Sequence, residues 1–350
     1  MNAETDGRIR SGSDELQRDD LVSASSCLGA SMGVDQFWAP WEVVVENYGE
    51  ASDRIHDVFS KWSKRGRVLA WRGQTDASWP LHSPLYRRLL WSSGGSGAPQ
   101  EADLATAERR ILADVHRWGL HMGAYGRLSV MGQLAVLQHF GAPTRLIDIT
   151  FNPWIGMWFA VHPRTEADGE PADARLFVFD VTDRLISEKD EEHRFWEDDL
   201  HVPWPRPAGP KSKRKERDRY REWSTSVLAW RPPQFHPRLS AQNGGFLLGG
   251  VPATGVVVWP KTTSPTSDRW SIAEVRQATS VSMRVHKLGA EGGGPSADAM
   301  YTIRIRAEAI AGVRKCLDDL FGYRQSTLFP DYAGFADFGT PYLRTTLPGS

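Results

Sequence analysis

The chain has 350 residues, long enough for one large domain or two small ones with a sizeable core. Hydrophobic residues make up 40% and charged residues 24%, the profile of an ordinary soluble globular protein. Against 42 Lys and Arg stand 43 Asp and Glu, and a formal net charge of −1 excludes a global pull toward nucleic acid or an anionic membrane. Two cysteines, Cys27 and Cys316, provide neither a disulfide framework nor a Cys-based zinc site. The ten histidines show no HExxH or other short metal spacing, so no metal is expected. MNAETDGRIRSGSDELQRDD at the N-terminus lacks the apolar centre of a secretory signal, and no run is long enough to span a bilayer. A reducing, cytoplasmic location is the expectation.

In chain order, residues 1–35 are rich in Ser, Gly, Asp and Glu and read as a disordered arm. Trp41 to Trp62 carries Val44, Val45, Ile55, Val58, Phe59 and Trp62, which predicts one or two helices. Arg67 to Trp71 reads as a short buried strand ending in Arg72-Gly73-Gln74, and residues 92–99 as a flexible loop. Glu101 to Trp118 predicts an amphipathic helix whose apolar face is Leu104, Ala107, Ile111, Val115 and Trp118. A second helix covers Ser129 to His139 and is stopped by Gly141 and Pro143. Thr144 to Ile149 is strand-like, and Asn152-Pro153 then fits an N-cap followed by Pro at the first helical position. Arg175 to Val181 is a clear strand.

Residues 186–222 form a polar insertion with an acidic half, a Pro-rich bend and the basic run Lys211 to Arg221. Mutual neutralisation or a solvated face is the favoured reading of that run, with nucleic-acid or anionic-partner contact as the alternative. Further strands are predicted around Gly245–Leu248, Gly255–Val258, Thr279–Val285 and Tyr301–Ile305, the last two alternating as half-buried strands do. Gly289 to Ala297 reads as a connector, and Ala307 to Leu320 as a helix closed by Gly322. The class is α+β, with mixed or antiparallel sheets and flanking helices.

Three constellations are candidates for chemistry. Arg72 follows an apolar strand and Gly73 removes the neighbouring side chain, so backbone can approach a bound group while the guanidinium reaches an anion. The alternative pairs Arg72 with a carboxylate such as Asp148. In Thr144 to Thr150, alternation places Thr144, Leu146, Asp148 and Thr150 on one face and Arg145, Ile147 and Ile149 on the other. Asp148 and Thr150 then point the same way just before a helix N-terminus, a ready anion site, unless Asp148 only caps the helix or pairs with an Arg. In the third, Arg238, Ser240 and Gln242 lead through Gly244 and Gly245 into an apolar strand, and Gln242 fits a ribose hydroxyl or a buried turn equally. Fifteen tryptophans are read as aromatic anchors, with base stacking as the sharper use of one or two.

Taken together, Trp71-Arg72-Gly73-Gln74, Trp79-Pro80-Leu81, Leu137 to Thr150 and Trp158-Phe159-Ala160 resemble the FRG domain, with Trp71 in place of the usual Phe or Tyr. Arg238 to Phe246 and Leu328 to Ala336 look like its C-terminal part. On that resemblance, 36–340 is one FRG domain with a core over 66–250, the insertion at 186–222, and C-terminal strands and helix over 251–340. The order of motifs adds an analogy to arginine-type ADP-ribosyltransferases, which implies an ADP-ribosyltransferase-like core and a cleft for NAD or a related nucleotide. By that analogy Arg72 binds a phosphate of NAD, and Asp148 and Thr150 orient the nicotinamide ribose. Gln242 stands where a Glu stabilises an oxocarbenium-like transition state; Gln supplies no such charge, and Asp148 is the substitute carboxylate. The implied nucleotide contacts are Arg72, Gly73, Gln74, His139, Thr144, Arg145 and Phe246. ADP-ribosyl transfer or NAD cleavage in bacterial or phage defence is the function this implies, with a non-enzymatic sensor or interaction module working through 186–222 as the alternative.

Overall fold

The computed structural model describes residues 33–62, 66–94, 97–123, 126–163, 171–186, 196, 199–209, 211–233, 236–253, 259–264, 267–287 and 299–338. In chain order the elements are α1 (Val34–Trp38), β1 (Glu42–Val45), α2 (Tyr48–Trp62), β2 (Leu69–Gln74), α3 (Pro84–Ser92), α4 (Glu101–Arg117), β3 (Met122–Gly123), β4 (Gly126–Arg127), α5 (Val130–His139), β5 (Ile147–Thr150) and α6 (Pro153–Ala160). They continue with β6 (Ala174–Asp180), α7 (Arg214–Trp223), β7 (Val227–Trp230), α8 (Pro237–Ala241), β8 (Gly244–Gly249), α9 (Ile272–Ala278), β9 (Arg284–Val285), β10 (Ala299–Ile305), α10 (Ile310–Phe321), α11 (Gln325–Leu328) and α12 (Tyr332–Phe338).

A mixed sheet of eight strands runs β1-β10-β6-β2-β5-β8-β7, with β9 on the same edge of β10 as β1. The β1–β10 and β9–β10 pairs are parallel and the rest antiparallel. The α+β class with a mixed sheet is therefore what this sequence forms. One face of the sheet is covered by α2, α6 and α10 through Ile55, Val58, Ile155, Trp158, Val313 and Leu317. The opposite face is covered by Phe37 and Trp38 of α1 and Val275 and Ala278 of α9. A third core joins α5 to β7 and β8.

Several elements differ from the sequence expectation, each because a tertiary partner overrides local pattern. Val44 and Val45 belong to β1, not to a helix, since β-branched residues gain a ladder against Ile303 to Ile305 of β10. β2 continues through Arg72, Gly73 and Gln74, because these pair with Phe177, Leu176 and Arg175 of β6. Thr144 and Arg145 precede β5: the Thr144 carbonyl accepts from Leu85 N–H instead of entering the sheet. Trp118 is 78% exposed, one residue past α4, where the helical stripe no longer faces the core. Thr279–Val285 is not one strand. Thr279 caps α9 and makes an isolated bridge to Leu81, Ser280 bonds to Leu81 and Ser83, and Arg284–Val285 pairs with β10.

β10 is buried on both faces apart from Arg304, since cores lie above and below it. Gly33 to Asp35 of the expected arm open α1, and Asp35 pairs with Arg175 and Arg304. The rest of that arm, Gly255–Val258 and Gly289–Ala297 lie outside the described residues. The helices over 101–117, 130–139 and 153–160 stand as expected, as do β6, β8 and the helix closed by Gly322.

The insertion is not a detached arm. Lys211 to Arg221 does present a solvated basic face, but Trp204 and Trp223 are buried and stack 5.7 Å apart. Trp196, Val202 and Tyr220 pack against the same core. Most of the acidic half lies outside the described residues.

Candidate functional site

β2 and β5 meet at a single rung, Trp71 with Thr150. Beyond it the two strands part, and the Arg72 side chain occupies the opening: its Nη1 donates to the Asp148 carbonyl at 2.8 Å. Arg72 and Asp148 are thus neighbours, as the pairing alternative required, but through the backbone oxygen and not the carboxylate. Burial pulls the Arg72 guanidinium down from its ordinary pKa and nearby Asp148 opposes this. Its Nε is buried with no hydrogen-bond partner, a costly state for a charged group and one a ligand oxygen would relieve.

Gly73 serves a different purpose from the one expected. A Cβ there would sit 2.2 Å from Ala160 N and Gly156 O, so its missing side chain admits the backbone of α6 and not that of a ligand. Gly156 reciprocates, its Cβ position lying 2.9 Å from Trp71 Cβ. Gln74 is buried and donates to the Pro80 carbonyl at 3.2 Å, fixing the Trp79-Pro80 turn.

Asp148 is exposed and accepts from Gln138 Nε2 at 3.0 Å. Gln138 in turn accepts from the buried Thr144 hydroxyl at 2.7 Å. The chain Thr144–Gln138–Asp148 thus clamps the end of α5 to β5 and aims the carboxylate. Thr150 faces the same way, but its hydroxyl is fully engaged: it donates to the Gln242 carbonyl at 2.7 Å and accepts from Asn152 N–H at 3.1 Å. Gln242 caps α8 and donates its amide to the Leu328 carbonyl at 3.0 Å. Nor is the N-terminus of α6 open to an anion. Asn152 Oδ1 accepts from Trp154 and Ile155 N–H, and its carbonyl takes Gly156 N–H.

His139 ends α5 beside this cluster, its ring centroid 3.8 Å from that of His236 at the N-cap of α8. Asp331 faces both rings and is held by Arg238 in a two-pronged pair at 2.7 and 2.8 Å and by Gly334 N–H at 2.7 Å. Burial, with His236 and Arg238, pushes the His139 pKa down, partly offset by Asp331 and Asp148. Phe140, 76% exposed, and Tyr332, 96% exposed, follow His139 and Asp331 in sequence, and the Phe140 ring lies 5.0 Å from that of His139. His236 and Asp331 were not among the predicted site residues, because two residues nearly a hundred positions apart give no local spacing to read.

Two predicted contacts are elsewhere. Arg145, 2% exposed, points into the third core, where Nε and Nη2 bind Glu108 at 2.5 and 2.6 Å, Nη2 meets Glu101 at 3.0 Å and Nη1 donates to the Gly249 carbonyl. Burial works against this charge, but Glu101 and Glu108 outweigh it and raise its pKa. Phe246 is buried against Trp230 at 5.8 Å. A cavity of about 250 Å³ opens at the start of β2, among Phe59, Arg67, Leu69, Trp71, Phe151 and Arg231.

The structure therefore brings Arg72, Asp148, Thr150, Gln242 and His139 to one region and leaves Arg145 and Phe246 in the core. No curated protein and no solved structure matches the chain. The family model for the FRG domain matches residues 67–169, a span that holds β2, the α5–β5 junction and α6. Arg72, Gly73, Asp148 and the glycine contact beneath them all lie inside that span, which is similar to the FRG domain.

Proposed function

We propose that the region around Arg72 and Asp148 binds NAD or a related nucleotide, and that ADP-ribosyl transfer or NAD cleavage, in a bacterial defence or toxin setting, is its chemistry. The observation that carries this reading is Arg72, a charged side chain with a buried, unpartnered Nε beside the exposed carboxylate of Asp148. A guanidinium with unfilled donors suits phosphate oxygens, and a carboxylate suits ribose hydroxyls. The exposed Phe140 ring beside His139 offers a base a surface on which to stack. Loss of nicotinamide from NAD develops positive charge on the ribose, and Asp148 is the anion available to face it; Gln242 is neutral and its amide is committed to Leu328.

Calorimetric titration with NAD, together with an assay for nicotinamide release, tests this. Arg72→Ala is expected to weaken NAD binding at least about tenfold, the equivalent of about 1.4 kcal/mol. Asp148→Asn is expected to leave binding within a few-fold and to abolish release. A wild-type protein that neither binds NAD nor releases nicotinamide refutes the reading.

The engagement of Thr150 and Gln242 within the fold favours a second reading, a binding module without chemistry. Its signature in the same assay is nucleotide binding that depends on Arg72 with no release of nicotinamide from the wild type.

A further inference from the structure

We propose that His139, His236 and Asp331 bind a divalent first-row transition-metal ion. One ligand atom from each lies within 4.8 Å of the other two. Three donors about 2.1 Å from a common ion are roughly 3.4 Å apart in a tetrahedral arrangement, so side-chain adjustments of about 1 Å close the site. No backbone rearrangement is needed, since each residue is fixed by an independent element: His139 at the end of α5, His236 at the N-cap of α8, Asp331 before α12.

Each group offers the lone pair a metal requires. His236 Nδ1 accepts only a 3.2 Å bond from Arg238 N–H, which a coordinate bond can replace. Asp331 has four lone-pair directions. Arg238 Nε takes one on Oδ2, while Arg238 Nη2 and Gly334 N–H take both on Oδ1, which leaves one on Oδ2. Arg238 is then the outer partner that orients a ligating carboxylate, a common arrangement around metal sites. Its positive charge also opposes the ion, so affinity falls short of that of a structural zinc site.

Two imidazoles and one carboxylate form the donor set of open zinc and non-haem iron sites, in which a further position is left for water or substrate. The half-buried placement of all three ligands leaves such a position accessible. The proposal is independent of nucleotide binding.

Calorimetric titration of the full chain with Zn²⁺ in the absence of nucleotide, supported by Co²⁺ absorption, is the test. One ion per chain is expected, with affinity lowered at least about tenfold in each of His139→Ala, His236→Ala and Asp331→Asn. The stacked pair His116 and His121, 4.3 Å apart on another part of the surface, is the control. The double variant His116→Ala/His121→Ala is expected to bind as the wild type does. Circular dichroism confirms that each variant is folded, and a metal-dependent rise in Tm in the wild type alone gives a second readout. Absence of binding, or binding that survives both His139→Ala and His236→Ala, overturns the proposal.

Discussion

Buried arginines and histidines in this chain show how position decides what a charge does. Arg145 and Arg175 are buried and saturated by carboxylates and carbonyls. Both are structural, and removing a partner from such a pair costs about 3–5 kcal/mol. Arg72 keeps a buried donor without a partner. His82, 3% exposed, donates to the Arg276 carbonyl, and burial pushes its pKa from 6.5 to about 3. The folded protein thus refuses a proton that the unfolded chain takes up below about pH 6.5. Stability is accordingly complete above that value and declines as the pH falls toward 3, by up to about 1.4 kcal/mol per pH unit. His82→Gln retains a donor for Arg276 and removes the titration, so urea unfolding across this range should show a flatter pH dependence than the wild type. An equal slope in both proteins would exclude His82 as the cause.

Among elements, the β2–α6 contact is the tightest and its test is the sharpest. Gly73 and Gly156 allow helix and strand backbones to touch, and a Cβ at Gly73 lands on backbone atoms that no side-chain motion can clear. Gly73→Ala is expected to destabilise by several kcal/mol, on the scale of severe overpacking, or to prevent folding. Gly141 differs: its φ is 79° and nothing lies within 4 Å of its Cβ position. Gly141→Ala should therefore cost only the left-handed penalty of about 1–2 kcal/mol. Equal losses in thermal denaturation of the two variants would show that the helix and strand part at Gly73 at little cost.

At the scale of the whole molecule, residues 199–223 complete a core instead of adding to a finished one. Arg145 lies 4.9 and 5.3 Å from the stacked rings of Trp204 and Trp223, and Glu101 binds the Trp223 indole N–H at 3.1 Å. Trp204→Ala should cost about 3–5 kcal/mol in chemical denaturation, the usual range for a buried tryptophan. Charge reversal at the exposed Arg217 should stay within about 0.5 kcal/mol. A Trp204→Ala protein as stable as the wild type would return the insertion to the status of an appended arm.

Local chemistry is enough to place α4, α5, α6, β6 and β8, because caps, Pro and Gly stops and apolar period act within a few residues. The motif over 137–150 lies inside the span that is similar to the FRG domain and brings Arg72 and Asp148 into one argument. Tertiary structure alone decides which polar groups remain available. Thr150 and Gln242 look open in sequence yet are engaged by backbone carbonyls about ninety residues away. Arg145 and Phe246 sit near site residues in sequence, but Glu101, Glu108 and the rings of Trp204 and Trp223 hold Arg145 in the third core, and Phe246 packs there against Trp230. The reverse holds for His139, His236 and Asp331: no spacing links them, and they meet because the C-terminus of α5, the N-cap of α8 and the turn before α12 converge in space. Periodicity and capping are short-range, whereas hydrogen-bond satisfaction and ligand convergence depend on long-range contacts.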